Sequence, residues 1–375
     1  MNIIKSKFEI LEQQYNKETL LEDMFKHIEI CGRTCYRSED KITEDSYKKF
    51  VKMLENAEHG AMLEHGTVYL TIPLGTPIDD PQYMWKFDIV SFFKNNKYSK
   101  VNDKTINQTV DVEIKGYGMQ TQASAHFYFI TTNWRVIYEN KDKLLPKYFL
   151  NNYHIEKESL KDSVLEWITK PIEEHEKRYT VRFTYHLAVA RDVNRHRVQS
   201  VGEESTRYCN YSKEKFGNGE LNIIEPVFFS DNGEKYIHSK TQMSFQDMCR
   251  EIGNSTEYTC FSEFDYWLFA NEACEFAYMA LTKKFGWTPQ QASLILPLDT
   301  KTCSVHTAFA SDWCHFFNLR ALGTTGAPRP SAKEVAWPLM EEFIKRNYIS
   351  ENQIDTEKYN EIKNKYPNIE EYIKK

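Results

Sequence analysis

The sequence lacks the features that usually mark membrane proteins, zinc proteins and general nucleic-acid binders. No apolar run approaches the roughly 18 residues that span a bilayer, and the N-terminus has no secretory signal pattern. The 8 cysteines are irregularly spaced, and Cys31 and Cys35 have no second pair at zinc-ligand spacing. The formal net charge of -6 argues against broad nucleic-acid binding. We therefore expect a cytoplasmic protein with reduced thiols, no metal site and no membrane or nucleic-acid partner.

The 375 residues have the composition of a globular protein with a large core. Charged residues make up 27% and hydrophobic residues 41%, with neither a low-complexity tract nor a repeat of roughly 20–50 residues. Hydrophobic periodicity predicts alternating strands and helices. Strands are expected within 58–72, 125–140 and 178–187. Helices are expected at 44–57 with Thr43 as cap, 188–198, 262–286, 311–322 with Ser311 as cap, and 330–347. The charged tail beyond residue 350 is expected to be peripheral.

A dense cluster of charge, "RHRVQSVGEESTRYCNYS", occupies residues 195–212 and contains few apolar side chains. If 188–198 is helical, Arg191 and Arg195 share one face, so a surface helix with salt bridges is one interpretation. Against it, the following loop alternates a carboxylate, a hydroxyl and a guanidinium group at Glu203, Ser205 and Arg207. Guanidinium forks bind phosphate bidentately, while carboxylate and hydroxyl groups fix sugar or base edges. The spacing therefore favours a ligand with both a phosphate and a polar ring.

The segment "RHRVQSVGEESTRY" resembles the signature of flavin-dependent thymidylate synthases, which has Arg-His-Arg, seven residues, Ser and then x-Arg-Tyr. The signature positions fall on Arg195, His196, Arg197, Ser200, Glu203, Ser205, Arg207 and Tyr208. A match of this length with fixed spacing is far more specific than a three-residue motif. Two further segments resemble the family in the same order. One places His59, Glu64 and His65 before a strand, and the other ends in Asn318, Leu319 and Arg320.

This resemblance implies an α/β fold of the α+β type, in which a mixed sheet is flanked by helices. One catalytic domain would span residues 1–375, interrupted by a large insertion at about 74–178. The family resemblance further implies a homotetramer that holds FAD between subunits. The implied reaction methylates dUMP to dTMP, with methylene-tetrahydrofolate as carbon donor and NADPH as the reductant of the flavin.

The resemblance also implies roles for individual residues. Arg320 matches the arginine that contacts the uracil edge, and it is the expected catalytic residue. Because arginine stays protonated, Arg320 would act electrostatically and not as a proton donor. The expected flavin-binding residues are Arg195, His196, Arg197, Glu203 and His315. The expected dUMP-binding residues are Asp192, Arg195, Glu203, Glu204, Ser205, Arg207 and Arg320.

Several positions depart from the family pattern. Ser293 stands where a phosphate-binding arginine is usual, and residues 309–311 read Phe-Ala-Ser where Asn-x-Arg is usual. Asn133 and Arg135 repeat that Asn-x-Arg pattern after the strand expected within 125–140. We therefore expect the insertion to fold back onto the active site, with these two side chains binding the flavin. The alternative is that Asn133 caps a helix while Arg135 forms a surface ion pair.

Two other functions remain open at this point. A cysteine-dependent thymidylate synthase or a pyrimidine nucleotide hydroxymethylase needs a cysteine nucleophile, and "WCHFFN" around Cys314 resembles such a segment. No proline precedes Cys314, however, and its place in an aromatic helix pattern is typical of a buried structural cysteine. The other alternative is a catalytically altered homologue that binds a flavin or nucleotide, because Ser293 and Ser311 replace two arginines.

Overall fold

The computed structural model describes residues 1–75, 82–114, 117–144, 164–217, 219–229, 250 and 263–375, which form a mixed α/β fold, as expected. The described strands are β1 (Asn2–Ile4), β2 (Lys7–Leu11), β3 (Thr67–Leu74), β4 (Lys100–Ile114), β5 (Tyr117–Asn133), β6 (Arg178–His186), β7 (Ser200–Glu203), β8 (Asn222–Ile224) and β9 (Lys301–Phe309). The described helices are α1 (Leu20–Tyr36), α2 (Ser46–Asn56), α3 (Gly60–Leu63), α4 (Tyr83–Lys94), α5 (Trp134–Glu139), α6 (Leu187–Val193), α7 (Glu263–Lys283), α8 (Pro289–Ala292), α9 (Ala310–Phe317), α10 (Pro330–Lys345), α11 (Thr356–Lys365) and α12 (Ile369–Lys374). A π-helix, Asn318–Leu322, continues α9 directly.

The larger sheet has four antiparallel strands in the order β2-β6-β9-β7. Alternate residues of β6 face opposite layers, as the strand period requires. On one face Phe183 packs with Trp313 of α9 in a core that α10 also lines. On the other face the Thr180 hydroxyl is hydrogen-bonded to His27 of α1 at 2.9 Å. The tail beyond residue 350 is not peripheral as expected, because α11 buries Tyr359 in the same core.

The smaller sheet has the strand order β3-β5-β4 and is built largely from the region predicted to be an insertion. Between residues 74 and 178 the described chain contributes α4, β4, β5 and α5. Leu70 of β3 and Ile130 of β5 pack with Trp85 and Phe93 of α4 in a second core. The region therefore completes a sheet with β3 and has a core of its own.

The two sheets contain the same strand–strand–helix unit, although the sequence shows no repeat. In each unit the first residue of one strand pairs with the last residue of the other, as Thr67 pairs with Asn133 and Arg178 with Phe309. A helix, α5 or α9, begins at the next residue, and its first N–H donates to the carbonyl group just before the first strand, at 2.8 and 2.9 Å. The units meet where the Arg178 guanidinium donates to Thr67 Oγ1 at 3.2 Å.

The helix after β6 is shorter than predicted. It was expected to reach residue 198 but ends at Val193, and a turn follows in which His196 N donates to the Val193 carbonyl at 3.1 Å. Arg195 therefore lies outside the helix and does not share a helical face with Arg191. The prediction extended too far because the charged residues after Val193 continue the helical spacing, whereas Val198, the apolar residue among them, is exposed and buries little surface.

Two predicted helix caps were wrong by a few residues. The helix expected at 311–322 has Phe309 in the N-cap position, and Ser311 lies in its first turn. Helix α2 begins at Ser46 with Asp45, not Thr43, in the N-cap position. Neither observed cap residue makes a side-chain capping hydrogen bond, so tertiary packing sets these two helix starts.

Candidate active site

The signature segment lies at one edge of the larger sheet. The Arg-His-Arg triplet occupies the turn after α6, and β7 follows with Glu203 as its last residue. Because β7 is antiparallel to β9, Glu203 lies beside Ser304 near the beginning of β9. The topology therefore gathers the end of β6, the turn and the beginning of β9 in one place.

Arg320 is held in this region by hydrogen bonds to two parts of the signature neighbourhood. Its Nε donates to His196 Nε2 at 3.1 Å, and its Nη2 donates to the Asp192 carbonyl oxygen at 2.6 Å. The Asp192 carboxylate in turn accepts from Arg329 Nε at 3.1 Å. These two hydrogen bonds fix the guanidinium plane of Arg320 against the end of α6, because they occupy two donor positions on one planar group.

His196 is a neutral acceptor in this arrangement. Burial, reinforced by the neighbouring Arg320 and His315, lowers the pKa of His196 to about 4. A neutral ring that accepts at Nε2 carries its hydrogen on Nδ1. Burial also lowers the pKa of Arg320, Asp192 opposes that effect, and the charge of Arg195 adds to it. Five predicted site residues thus come together: Asp192, Arg195, His196, His315 and Arg320.

The two carboxylates of the signature have different surroundings. Glu203 accepts from Asn194 Nδ2 at 2.8 Å and from Thr302 Oγ1 at 3.1 Å, and burial raises its pKa. Glu204 is almost fully buried and pairs with Lys301 Nζ at 2.5 Å and Arg37 Nη1 at 3.5 Å. Glu203 is therefore the carboxylate with neutral partners at the site edge, while two cations neutralise Glu204.

The arginines of the signature present uncommitted donors. Arg195 and Arg197 are exposed, and within the described part of the chain neither guanidinium makes a hydrogen bond or ion pair. Arg207 Nη2 makes one long bond of 3.3 Å to the neutral Gln290 Oε1. Ser205 forms the turn before Arg207, and its carbonyl accepts from Tyr208 N at 3.1 Å. These positive groups could bind an anion such as a phosphate without first breaking an ion pair.

Asn133 and Arg135 make the contacts expected of structural residues. Asn133 is buried, and its Oδ1 accepts from Val136 N at 3.1 Å, so it caps α5. Arg135 donates to Glu64 Oε1 at 2.6 Å and to Glu139 Oε1 at 2.8 Å. Among the described residues, no hydrogen bond or ion pair joins either side chain to the Arg320 cluster. Their binding to a flavin remains a prediction.

Sequence reasoning missed Lys100, which occupies the space next to Ser311. Lys100 Nζ donates to Ser311 Oγ, lies 3.5 Å from Glu176 Oε1 and sits 4.7 Å from the centre of the Phe309 ring. A cation therefore lies beside the position where the family pattern has arginine. The contact could not be found from spacing, because it links β4 to α9 across 211 residues.

Cys314 has the surroundings of a structural cysteine. It is buried in α9, and burial raises the pKa of its thiol to about 11. A thiol with such a pKa is a poor nucleophile near neutral pH. In the described ranges no group of three or more His, Cys, Asp or Glu side chains is placed to hold a metal ion. Within the same ranges, no helix combines the length and the apolar character that crossing a membrane requires.

Residues 122–346 match the family described as "Thymidylate synthase complementing protein". The chain belongs to this family. The match confirms the resemblance drawn from the signature segment. It begins inside the predicted insertion, so it includes the Asn-x-Arg pattern at Asn133, whereas the motif of His59, Glu64 and His65 lies before it.

The chain has low sequence identity to the solved structures that it is most usefully compared with. The chain is 13% identical to a UMP/dUMP methylase, PolB, from Streptomyces cacaoi bound with 5-Br dUMP, with 92% of this chain and 93% of that chain covered and a TM-score of 0.35. It is 14% identical to Thymidylate Synthase X (ThyX) from Helicobacter pylori with FAD and dUMP. That match covers 48% of this chain and 73% of the other, with a TM-score of 0.30. No curated protein sequence matches the chain.

Proposed function

We propose that this protein is a flavin-dependent thymidylate synthase. It would methylate dUMP to dTMP, taking the carbon from methylene-tetrahydrofolate and reducing equivalents from NADPH through bound FAD. The observation that carries the proposal is the assembly around Arg320: Asp192, Arg195, His196 and His315 converge there in a chain of this family.

The positive groups of the signature suit a nucleotide phosphate. Arg195, Arg207 and the Ser205 hydroxyl are proposed to bind it. Within the described residues the Arg195 guanidinium makes no hydrogen bond or ion pair, and the Arg207 guanidinium makes only the long bond to Gln290, so both can bind a phosphate. Glu203 is proposed to accept from a sugar hydroxyl or base N–H, exchanging its neutral partners Asn194 and Thr302 for the ligand. Glu204, which Lys301 and Arg37 neutralise, would act at most through its backbone.

Arg320 is proposed to stabilise charge on the pyrimidine. C5 of uracil becomes nucleophilic when the ring takes an enolate form, whose negative charge lies largely on a carbonyl oxygen. A fixed guanidinium beside that oxygen would stabilise this form. The bonds to His196 and Asp192 hold Arg320 before substrate arrives, so little reorganisation is needed. Asp192 is proposed to assist by orienting Arg320 and Arg329, which keeps its own charge paired near the nucleotide.

The residues present also fit a flavin. Bound FAD would supply hydride transfer, which no amino-acid side chain can perform. Arg195, His196, Arg197 and His315 offer positive or donor groups, and Lys100 supplies a cation beside Ser311. Asn133 and Arg135 are proposed as further flavin contacts from the smaller sheet. Arg197 is exposed in the single chain, which suits a homotetramer in which one subunit completes the site of another.

The decisive experiment uses the purified full chain with dUMP, NADPH and methylene-tetrahydrofolate. The expected result is a yellow protein that oxidises NADPH only when dUMP is present and forms dTMP. A colourless protein, or product that carries a hydroxymethyl group at C5, would support a different reaction. Ser293 and Ser311 favour one competing function, an altered flavin- or nucleotide-binding homologue, which would bind dUMP without turning it over.

A further inference from the structure

A basic groove opens next to the end of the signature segment. This cavity has a volume of about 520 Å³, and Tyr208 is one of its lining residues. Among the residues that the structure describes, four basic side chains line it, Arg33, Lys41, Lys49 and Lys215, and no aspartate or glutamate does. The lining is therefore locally positive although the chain has a net charge of -6, and a concentration of positive charge attracts anionic ligands.

Three of these cations have no carboxylate partner. Arg33 Nε donates to Glu29 Oε1 at 2.7 Å, and its guanidinium stacks over the Phe50 ring at 4.7 Å. Across the described ranges, the ammonium groups of Lys41 and Lys49 make no hydrogen bond or ion pair. Within the same ranges, the only partner of the Lys215 ammonium group is the Phe216 ring, whose centre lies 5.4 Å from Nζ. The groove therefore presents positive charge that its own chain does not neutralise.

The groove is also lined by apolar and aromatic side chains. Phe50 and the half-exposed Met53 of α2 form the floor. The Tyr36 hydroxyl is hydrogen-bonded to His59 Nδ1 at 3.0 Å, and the Tyr36 and Tyr208 rings meet edge to face at 6.4 Å. Two motif residues, His59 and Tyr208, thus line the same groove as the lysines.

We propose that this groove binds the polyglutamate tail of the folate cosubstrate. The inference rests on the proposed function, since it requires a folate carbon donor at the neighbouring site. A tail of γ-linked glutamates is a flexible chain of methylene groups with one carboxylate per residue. Phe50 and Met53 would contact the methylene groups, and Lys41, Lys49 and Lys215 would pair with the carboxylates.

The arrangement of the cations favours a chain of carboxylates over a pyrophosphate. Lys41, Lys49 and Lys215 belong to three separate elements: the 3-10 turn Glu39–Lys41, α2 and the loop after β7. A pyrophosphate concentrates its charge within a few bonds and is typically gripped by guanidinium forks. The one arginine of the lining, Arg33, is already committed to Glu29. Point charges spread along an apolar floor match an extended tail better.

The test compares mono- and triglutamate forms of tetrahydrofolate on the flavin-loaded full chain. Isothermal titration gives binding constants, and steady-state kinetics with the methylene forms gives KM. An exposed ion pair changes affinity by about threefold, so two added carboxylates should lower the Kd and KM about tenfold at low salt. High salt should shrink this advantage, because exposed charges are screened.

The variant Lys41→Gln/Lys49→Gln should lose most of the triglutamate advantage and keep the KM for dUMP. Lys48→Gln/Lys52→Gln is the matched control, because it removes two charges from α2 outside the groove lining and should keep the advantage.

The inference would be overturned by equal KM values for both folates in the native protein, or by a triglutamate advantage that survives in the groove variant. In either case, dTMP formation from the monoglutamate form would still uphold the proposed function. A rise in the KM for NADPH alone would assign the groove to the reductant instead. Absence of both folate binding and folate turnover would reject the groove and the proposed function together.

Discussion

Acid should unfold this protein at a pH where most carboxylates are still ionised, because buried histidines must become charged. His27, His196 and His306 are nearly or fully buried, and burial is the largest cause that lowers their pKa values to about 4, 4 and 3. Burial also holds the pKa of His65 well below its usual value. Each ring is hydrogen-bonded in its neutral form, for example His27 Nε2 with Thr180 Oγ1.

The direction and size of the effect follow from proton linkage. An unfolded histidine titrates near about 6.5, so between that pH and about 4 the unfolded chain binds more protons than the folded one. The contribution of these histidines to the free energy of unfolding is therefore fully present above about pH 6.5, and it is lost as the pH falls towards their folded pKa values. At pH 5 the loss is about 1–2 kcal/mol for each histidine, against a typical total stability of about 5–15 kcal/mol. Carboxyls whose pKa values burial raises, such as Glu334, act in the opposite sense, because the folded state then binds a proton before the unfolded one does.

Single-histidine variants separate these contributions. Urea unfolding of His27→Gln at pH 7 and pH 5 should show a stability loss smaller than that of the native chain by about 1–2 kcal/mol, since one buried titrating group is gone. The reasoning would be refuted by equal losses in His27→Gln and the native chain.

Arg320→Ala should lower dTMP formation by orders of magnitude while FAD stays bound, because a few kcal/mol of charge stabilisation is lost, whereas Arg207→Ala should mainly raise the Kd for dUMP. Similar Kd increases in both variants with unchanged turnover would contradict that division. Cys314→Ala should keep turnover, since the thiol is buried with a raised pKa; a folded, yellow but inactive variant would restore a cysteine-dependent mechanism. Arg135→Ala and Lys100→Met should each weaken FAD retention in dialysis followed at the flavin absorbance, and variants that stay fully yellow and active would leave both residues structural.

The sequence predicted the elements whose side chains alternate or repeat regularly. Strand β6 was expected at 178–187 and spans Arg178–His186, because its β-branched and aromatic residues have few alternatives. The helix expected at 262–286 contains α7, Glu263–Lys283. The signature likewise located the candidate site, since its residues are close in sequence and need only one turn and one strand to come together.

Long-range partners could not be predicted in the same way. Lys100 reaches Ser311 only because the smaller sheet lies against the larger one, and no local spacing encodes that contact. The Glu204 pairing with Lys301 has the same origin, because antiparallel pairing of β7 and β9 places the two residues together. Helix α6 was predicted, but its end at Val193 was not, because helical spacing of charge does not by itself bury any surface.

The most direct test of the central claim is a single-turnover reaction of the purified, FAD-loaded full chain with NADPH, methylene-tetrahydrofolate and dUMP, followed by identification of the nucleotide product. The account predicts dTMP in an amount that depends on all three substrates, with loss of the product in Arg320→Ala protein that retains its flavin. A flavin-loaded chain that binds dUMP yet forms no C5-methylated nucleotide would contradict it.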